Sequence, residues 1–182
     1  MNVVIVHGLY SNPQGNWFQW LKEELEKEGH SVHVPKFPTP VNQSLERWMK
    51  VMEKYKERIQ SQAVLIGHSL GAAFLLSFLE KNRASASFLV GGFHRPLGLD
   101  LDRLNASFIE KEFDWDAIRA HCPKRFMFSS DDDPYISLEV TKELQKKLGA
   151  GLIIVKSGKH LNAEAGYTEF TLLKEMVLRE MI

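Results

Sequence analysis

Residues 63–74 read Ala-Val-Leu-Ile-Gly-His-Ser-Leu-Gly-Ala-Ala-Phe, and no other stretch constrains the fold as tightly. Residues 63–66 are continuously apolar, the pattern of a strand covered on both faces. They run without a spacer into Gly67-His68-Ser69-Leu70-Gly71, after which Ala72 and Ala73 continue a helix. A buried strand that turns this abruptly into a helix belongs to a parallel sheet with helices packed on it.

The rest of the chain keeps that rhythm. Residues 3–6, 31–34, 88–90, 125–128 and 152–155 read as further strands. Residues 16–28, 43–58, 70–82, 137–148 and 163–181 read as helices. In the first helix Trp17, Trp20, Leu21 and Leu25 form one apolar stripe. Six strands alternating with helices predict a mainly parallel six-stranded sheet flanked by helices on both faces, with right-handed crossovers. At 182 residues the chain fits a single domain, 1–182. Between about 91 and 114 the period is lost and Gly91, Gly92, Pro96 and Gly98 collect. So long an irregular connection predicts a lid-like or binding loop, too short to be a separate cap domain.

Composition excludes several classes. The 23 basic residues balance 23 acidic ones, which argues against nucleic acid as a main partner, because counterion release needs a basic face. The lone Cys122 rules out an internal disulfide and reads as a small buried hydrophobe before Pro123. The longest apolar run, residues 72–79, falls well short of the roughly 18 residues a membrane span needs. No leader with a basic start and a cleavage site opens the sequence. The expectation is a cytoplasmic protein without a membrane partner.

Gly-x-Ser-x-Gly between a strand and a helix has a chemical logic. A serine on so tight a turn is held in a strained backbone that lifts its oxygen clear of the sheet. The flanking glycines leave room that side chains would fill. The helix behind it aims free N–H groups at the place where an oxyanion would form. By itself the motif also suits a serine that merely caps a helix. The order of the later motifs separates the two. After the strand at 125–128 come Asp131-Asp132-Asp133, and after the strand at 152–155 comes His160. Serine, acid and histidine, each just past a strand's carboxyl end, is the order of the α/β-hydrolases. His160 would take the proton of Ser69 and return it to the leaving group, oriented by a carboxylate.

Chemistry alone leaves the three aspartates equivalent as the acid. A Mg²⁺ site there would need a phosphate-binding sequence or a second acidic cluster, and neither is present, so no metal and no cofactor is expected. The second oxyanion donor should come from the loop after the first strand, His7-Gly8-Leu9-Tyr10. Leu9 N–H is the expected donor beside Leu70 N–H, with Tyr10 N–H as the fallback. His30 and His33 read as surface or packing residues, and His68 as a brace of the turn. His121 has no motif around it.

These segments resemble one family, the small α/β-hydrolases of the retinoblastoma-binding-protein-9 and YdeN-like group. The resemblance runs through HGLYSNPQGNWFQWLKEEL, VPKFPTPVNQSLERW, GHSLGAAFLLSFLE, FDWDAIRAHCPKRFMFSSDDDPYIS and SGKHLNAEAGYTEF, nearly the whole chain. It implies a compact α/β-hydrolase fold and a serine hydrolase. The family pattern S-x-x-D-x-x-[VL]-P falls on Ser130, Asp133 and Ile136, which implies Asp133 as the acid. Ser137 departs from it where proline is usual. The L-x-C-x-E pocket-protein motif associated with one member is absent, so that partner is not carried over.

The resulting expectation is an esterase-like enzyme acting on a small carboxylic ester, thioester or amide through an acyl-Ser69 intermediate. Tyr10, Trp17, Phe93, His94, Phe113, Tyr135 and Leu161 are candidates for its pocket. The absence of a cap predicts a preference for short acyl groups. A non-catalytic interaction protein on the same fold, or an acyltransferase, are the rival readings.

Overall fold

The computed structural model describes residues 1–59 and 62–181. Six strands, β1 (Asn2–Val6), β2 (Ser31–His33), β3 (Val64–His68), β4 (Ala86–Val90), β5 (Lys124–Ser130) and β6 (Gly151–Val155), form one sheet in the order β2-β1-β3-β4-β5-β6. Every neighbouring pair is parallel, so the expected mainly parallel sheet is wholly so among the described residues. Among the described residues seven α-helices accompany it: α1 (Phe18–Lys27), α2 (Leu45–Glu53), α3 (Leu70–Leu79), α4 (Asp102–Ile109), α5 (Trp115–His121), α6 (Leu138–Leu148) and α7 (Thr171–Glu180). None is long and apolar enough to cross a membrane.

The strand alternation divides the core in two. Val3, Ile5, Val64, Ile66, Phe88 and Val90 meet Trp17, Phe18, Leu21 and Leu25 of the α1 region and Leu173 and Val177 of α7. Val4, Val6, Leu65, Leu89 and Met127 meet α2–α6 on the other face. All ten residues of α3 are buried, as expected of a helix that is apolar all round. Trp48 of α2 packs against Phe37, Phe74 and Phe108, and its indole N–H donates to Pro38 O at 2.8 Å. Truncating so buried a ring would cost about 3–5 kcal/mol.

Local chemistry corrects several expected boundaries. Helix α2 ends at Glu53 rather than near 58. The expected helix 163–181 is a short 3-10 turn, Ala163–Ala165, and then α7, interrupted where Gly166 takes φ +87°. The stretch 91–114 is not wholly irregular, because it contains α4. There Asp102 Oδ2 accepts the N–H groups of Leu97, Gly98 and Leu99 at 2.9, 2.7 and 3.1 Å, folding the loop back onto the start of the helix. Periodicity does not predict helix α5, yet Asp114 caps it by accepting from Ala117 N–H at 2.9 Å. Ser137, where proline is usual, caps α6 through Val140 N–H.

Sheet order is what positions the site. Connections leave β1 and β3 toward opposite faces, so a crevice opens between their carboxyl ends. Val6 pairs with Gly67, which sets the loop after β1 beside the turn at Ser69. At the next strands, Ser130 pairs with Val155, which sets the three aspartates beside the loop carrying His160.

Candidate active site

Ser69 follows β3 immediately and has φ 55° and ψ −121°, a conformation costly for a residue with a side chain. Its N–H donates to Val90 O at 2.8 Å. The glycines around it are matters of space. A β-carbon on Gly67 would lie 2.7 Å from Ala72 N, and one on Gly71 only 2.2 Å from Val6 O. The turn therefore lets α3 begin directly against β1, with Leu70 as its first residue.

The loop after β1 rests on this turn. His7 is buried, its Nδ1 3.0 Å from Gly8 O and its Nε2 3.0 Å from Phe37 N. Phe37 N–H can only donate, so Nε2 accepts and Nδ1–H donates, which fixes a neutral tautomer. Burial accordingly pushes the His7 pKa down. In the sequence His7-Gly8 reads only as a turn and gives no sign of this brace, because a buried ring held in one tautomer leaves no mark in periodicity. Leu9 and Leu70 both line the cavity at Ser69. Tyr10 N–H, the fallback donor, is already given to Thr39 Oγ1 at 3.0 Å.

His160 and Asp133 come together by tertiary placement. His160 Nδ1 lies 2.8 Å from Asp133 Oδ2, with that carboxylate only 1% exposed. The other carboxylate oxygen accepts Tyr135 N–H and Ile136 N–H at 2.9 and 3.1 Å. Such bonds hold the orientation of the carboxylate. Gly91, at φ +55°, leaves room for the imidazole, since a β-carbon there would lie 3.2 Å from His160 Cε1. Ser69 and His160 line one cavity without a closed hydrogen bond between them, a contact often loose before substrate arrives.

His68 sits beneath them with its Nε2 2.9 Å from His160 O. That carbonyl accepts, so Nε2 carries the proton, while Nδ1 is buried without a partner. Burial, then the neighbouring His160, holds the His68 pKa down at about 3. His68 is thus a neutral donor that ties the turn to the histidine loop.

The cavity, about 290 Å³, takes in Tyr10, Phe93 and Tyr135 of the expected pocket residues. Tyr135 stands edge-on to His160 at 5.0 Å. Four others lie elsewhere. Trp17 is fully buried in the α1 layer, its indole N–H bound to Leu161 O at 3.0 Å. Leu161 itself is fully buried in that same layer. Phe113 packs on Trp115 under the Lys111 ammonium. His94 Nε2 lies 3.1 Å from Glu143 Oε1. In their place Leu97, Leu99 and Leu101 form an apolar wall, joined by Asp102, Asn105 and Glu164. The alternating leucines of Leu97-Gly-Leu-Asp-Leu101 are a legible signal of such a wall. Among the described residues no group of His, Cys, Asp and Glu is placed to hold a metal ion.

Comparison with known proteins bears on the family and the fold. A family model described as serine hydrolase matches residues 3–179. The chain is 28% identical over 179 residues to the YdeN protein of Bacillus subtilis, covering 96% of this chain and 93% of that one. It is 28% identical over 137 residues to the serine hydrolase RBBP9 of Rattus norvegicus, covering 75% and 73% of the two chains. The crystal structure of the B. subtilis ydeN gene product superposes with a TM-score of 0.92 at 26% identity, over 98% of this chain and 97% of that one.

Proposed function

The chain belongs to the serine hydrolase family and has a compact α/β-hydrolase fold, and we propose that it is an esterase cleaving small carboxylic esters through an acyl-Ser69 intermediate. The observation that carries this reading is the 2.8 Å His160–Asp133 bond, set in the same cavity as a serine on a strained turn.

In this mechanism Ser69 Oγ attacks the ester carbonyl as His160 Nε2 takes its proton. Asp133 keeps the Nδ1 proton on the ring and stabilises the imidazolium. The tetrahedral oxyanion is received by the N–H groups of Leu9 and Leu70, preorganised and partly shielded from water. Collapse expels the alkoxide, which takes the proton from His160. Water then attacks the acyl carbonyl as His160 takes its proton, and the second collapse breaks the bond to Ser69 Oγ, which recovers that proton as the acid leaves. The cavity volume suits short acyl groups.

The test is labelling with a fluorophosphonate, read by intact mass, alongside Ser69→Ala. One adduct on the wild-type chain and none on the variant is the expected result. Equal labelling of both chains, or none of either beside a labelled control hydrolase, overturns the reading.

A further inference from the structure

The mechanism uses one of three consecutive aspartates, but each of them grips the histidine loop. Asp131 Oδ1 accepts Ser157 N–H at 2.8 Å. Asp132 Oδ1 accepts Lys159 N–H at 2.8 Å and the Ser130 hydroxyl at 2.6 Å. Asp132 Oδ2 pairs with Lys159 Nζ at 2.9 Å. Ser130 Oγ accepts Gly158 N–H at 2.9 Å, and Asp133 holds His160. Residues 157 to 160 are therefore each held in turn from the end of β5.

The loop needs such holding. Ser157, Lys159 and Leu161 have φ of 52°, 49° and 51°, three left-handed non-glycine residues around one histidine. Each is unfavourable by local preference and persists only where surrounding contacts impose it. Ser130 and Lys159 hold Asp132 ionised, with a pKa of about 2, so its grip persists at any pH where a histidine base works.

We propose that Asp131 and Asp132 are positioning residues for His160, acting through the backbone of residues 157–159 to aim the imidazole at Ser69. The proposal rests on the reading of His160 as general base. A merely stabilising tether would alter folding and leave the chemistry of the folded enzyme alone. A positioning role alters turnover, because small misplacement of a catalytic group is costly.

The experiment compares Asp131→Ala, Asp132→Ala, the double alanine variant, and Asp131→Asn and Asp132→Asn. An asparagine oxygen still accepts the loop N–H. With p-nitrophenyl butyrate, kcat of Asp132→Ala is expected to fall about 10- to 100-fold while KM stays within about twofold. The asparagine variants should recover most of that loss. A second readout needs no turnover: the low-field proton resonance of the His160–Asp133 hydrogen bond should broaden or vanish in the alanine variants and persist in the asparagine ones.

An unchanged kcat and an unchanged resonance in the folded double variant would overturn the proposal, as would asparagine variants as impaired as alanine. Wild-type protein without Ser69-dependent turnover would sink the esterase reading instead, and the resonance would still decide the positioning of His160. Should the double variant not fold, Asp131→Ala decides by the same readouts, since Asp131 is exposed.

Discussion

A β-carbon added to Gly8 would lie 3.0 Å from Ser69 Cβ and 3.1 Å from His68 O. Gly8 is not among the residues with positive φ, so the constraint is one of space alone. The loop proposed to offer Leu9 N–H comes this close to Ser69 because nothing projects from the residue before it. Gly8→Ala should therefore push the oxyanion loop off the nucleophile and leave the rest of the fold in place. The expected outcome is a loss in kcat of up to about 100-fold, the lower end of what removing one oxyanion donor costs, with unchanged far-UV circular dichroism. Wild-type kcat in this variant would remove Leu9 from the proposed oxyanion site.

Stability should fall on acidification because of His68. Its folded pKa of about 3 lies below its ordinary 6.5, so between those values the unfolded chain binds a proton that the folded one refuses. The contribution is fully present above pH 6.5 and is lost as pH falls toward 3. Burial lowers His7 in the same direction. For one proton the limiting slope is about 1.4 kcal/mol per pH unit. Urea unfolding at pH 7, 6 and 5 should show His68→Gln losing less stability than wild type, since a glutamine amide can still donate to His160 O without titrating. Equal slopes would mean that His68 takes up a proton as readily in the folded chain as in the unfolded one.

The cavity wall carries Asp102 and Glu164 and, among the described residues, no lysine or arginine. Lys159 stands nearby but is paired with Asp132. Neutral acetyl and butyryl esters should therefore be preferred over an anionic hemisuccinate ester of similar length. A discrimination of about tenfold in kcat/KM corresponds to about 1.4 kcal/mol of repulsion and incomplete solvation. Dodecanoyl esters should be poorer than butyryl ones in a space this small. A preference for the anionic or the long-chain ester, measured with one leaving group throughout, would contradict both expectations.

Trp17→Phe keeps most of the buried ring and removes the N–H that Leu161 O accepts. Leaving that carbonyl unsatisfied should cost about 1–3 kcal/mol, read as a lower urea midpoint. KM should not move, because Trp17 belongs to the core and lines no part of the cavity. A raised KM at full stability would return Trp17 to the pocket.

Much of this architecture is legible in the order of the residues. Continuous apolar runs mark the strands, and the elbow announces itself through glycines whose β-carbons would collide with Ala72 and Val6. Capping chemistry is legible too, though periodicity alone passes over it: Asp114 marks the start of α5, which carries no periodic stripe. The pocket is the least legible part. Trp17, Phe113, Leu161 and His94 share composition and burial with Phe93, and nothing in a one-dimensional pattern says which side of a buried ring faces a cavity.

The sequence by itself determined the strand–helix alternation, the strained serine, and the succession of serine, acid and histidine past successive strands. Those features depend on neighbours along the chain, where sterics and hydrophobic period act directly. Tertiary structure decided the rest. It chose Asp133 as the carboxylate on His160 and left Asp131 and Asp132 holding the adjoining loop. It closed Tyr10 N–H onto Thr39 and built the cavity wall from Leu97, Leu99 and Leu101. Each of these depends on which side chains the sheet order brings together from distant positions, and local preference carries no record of that pairing.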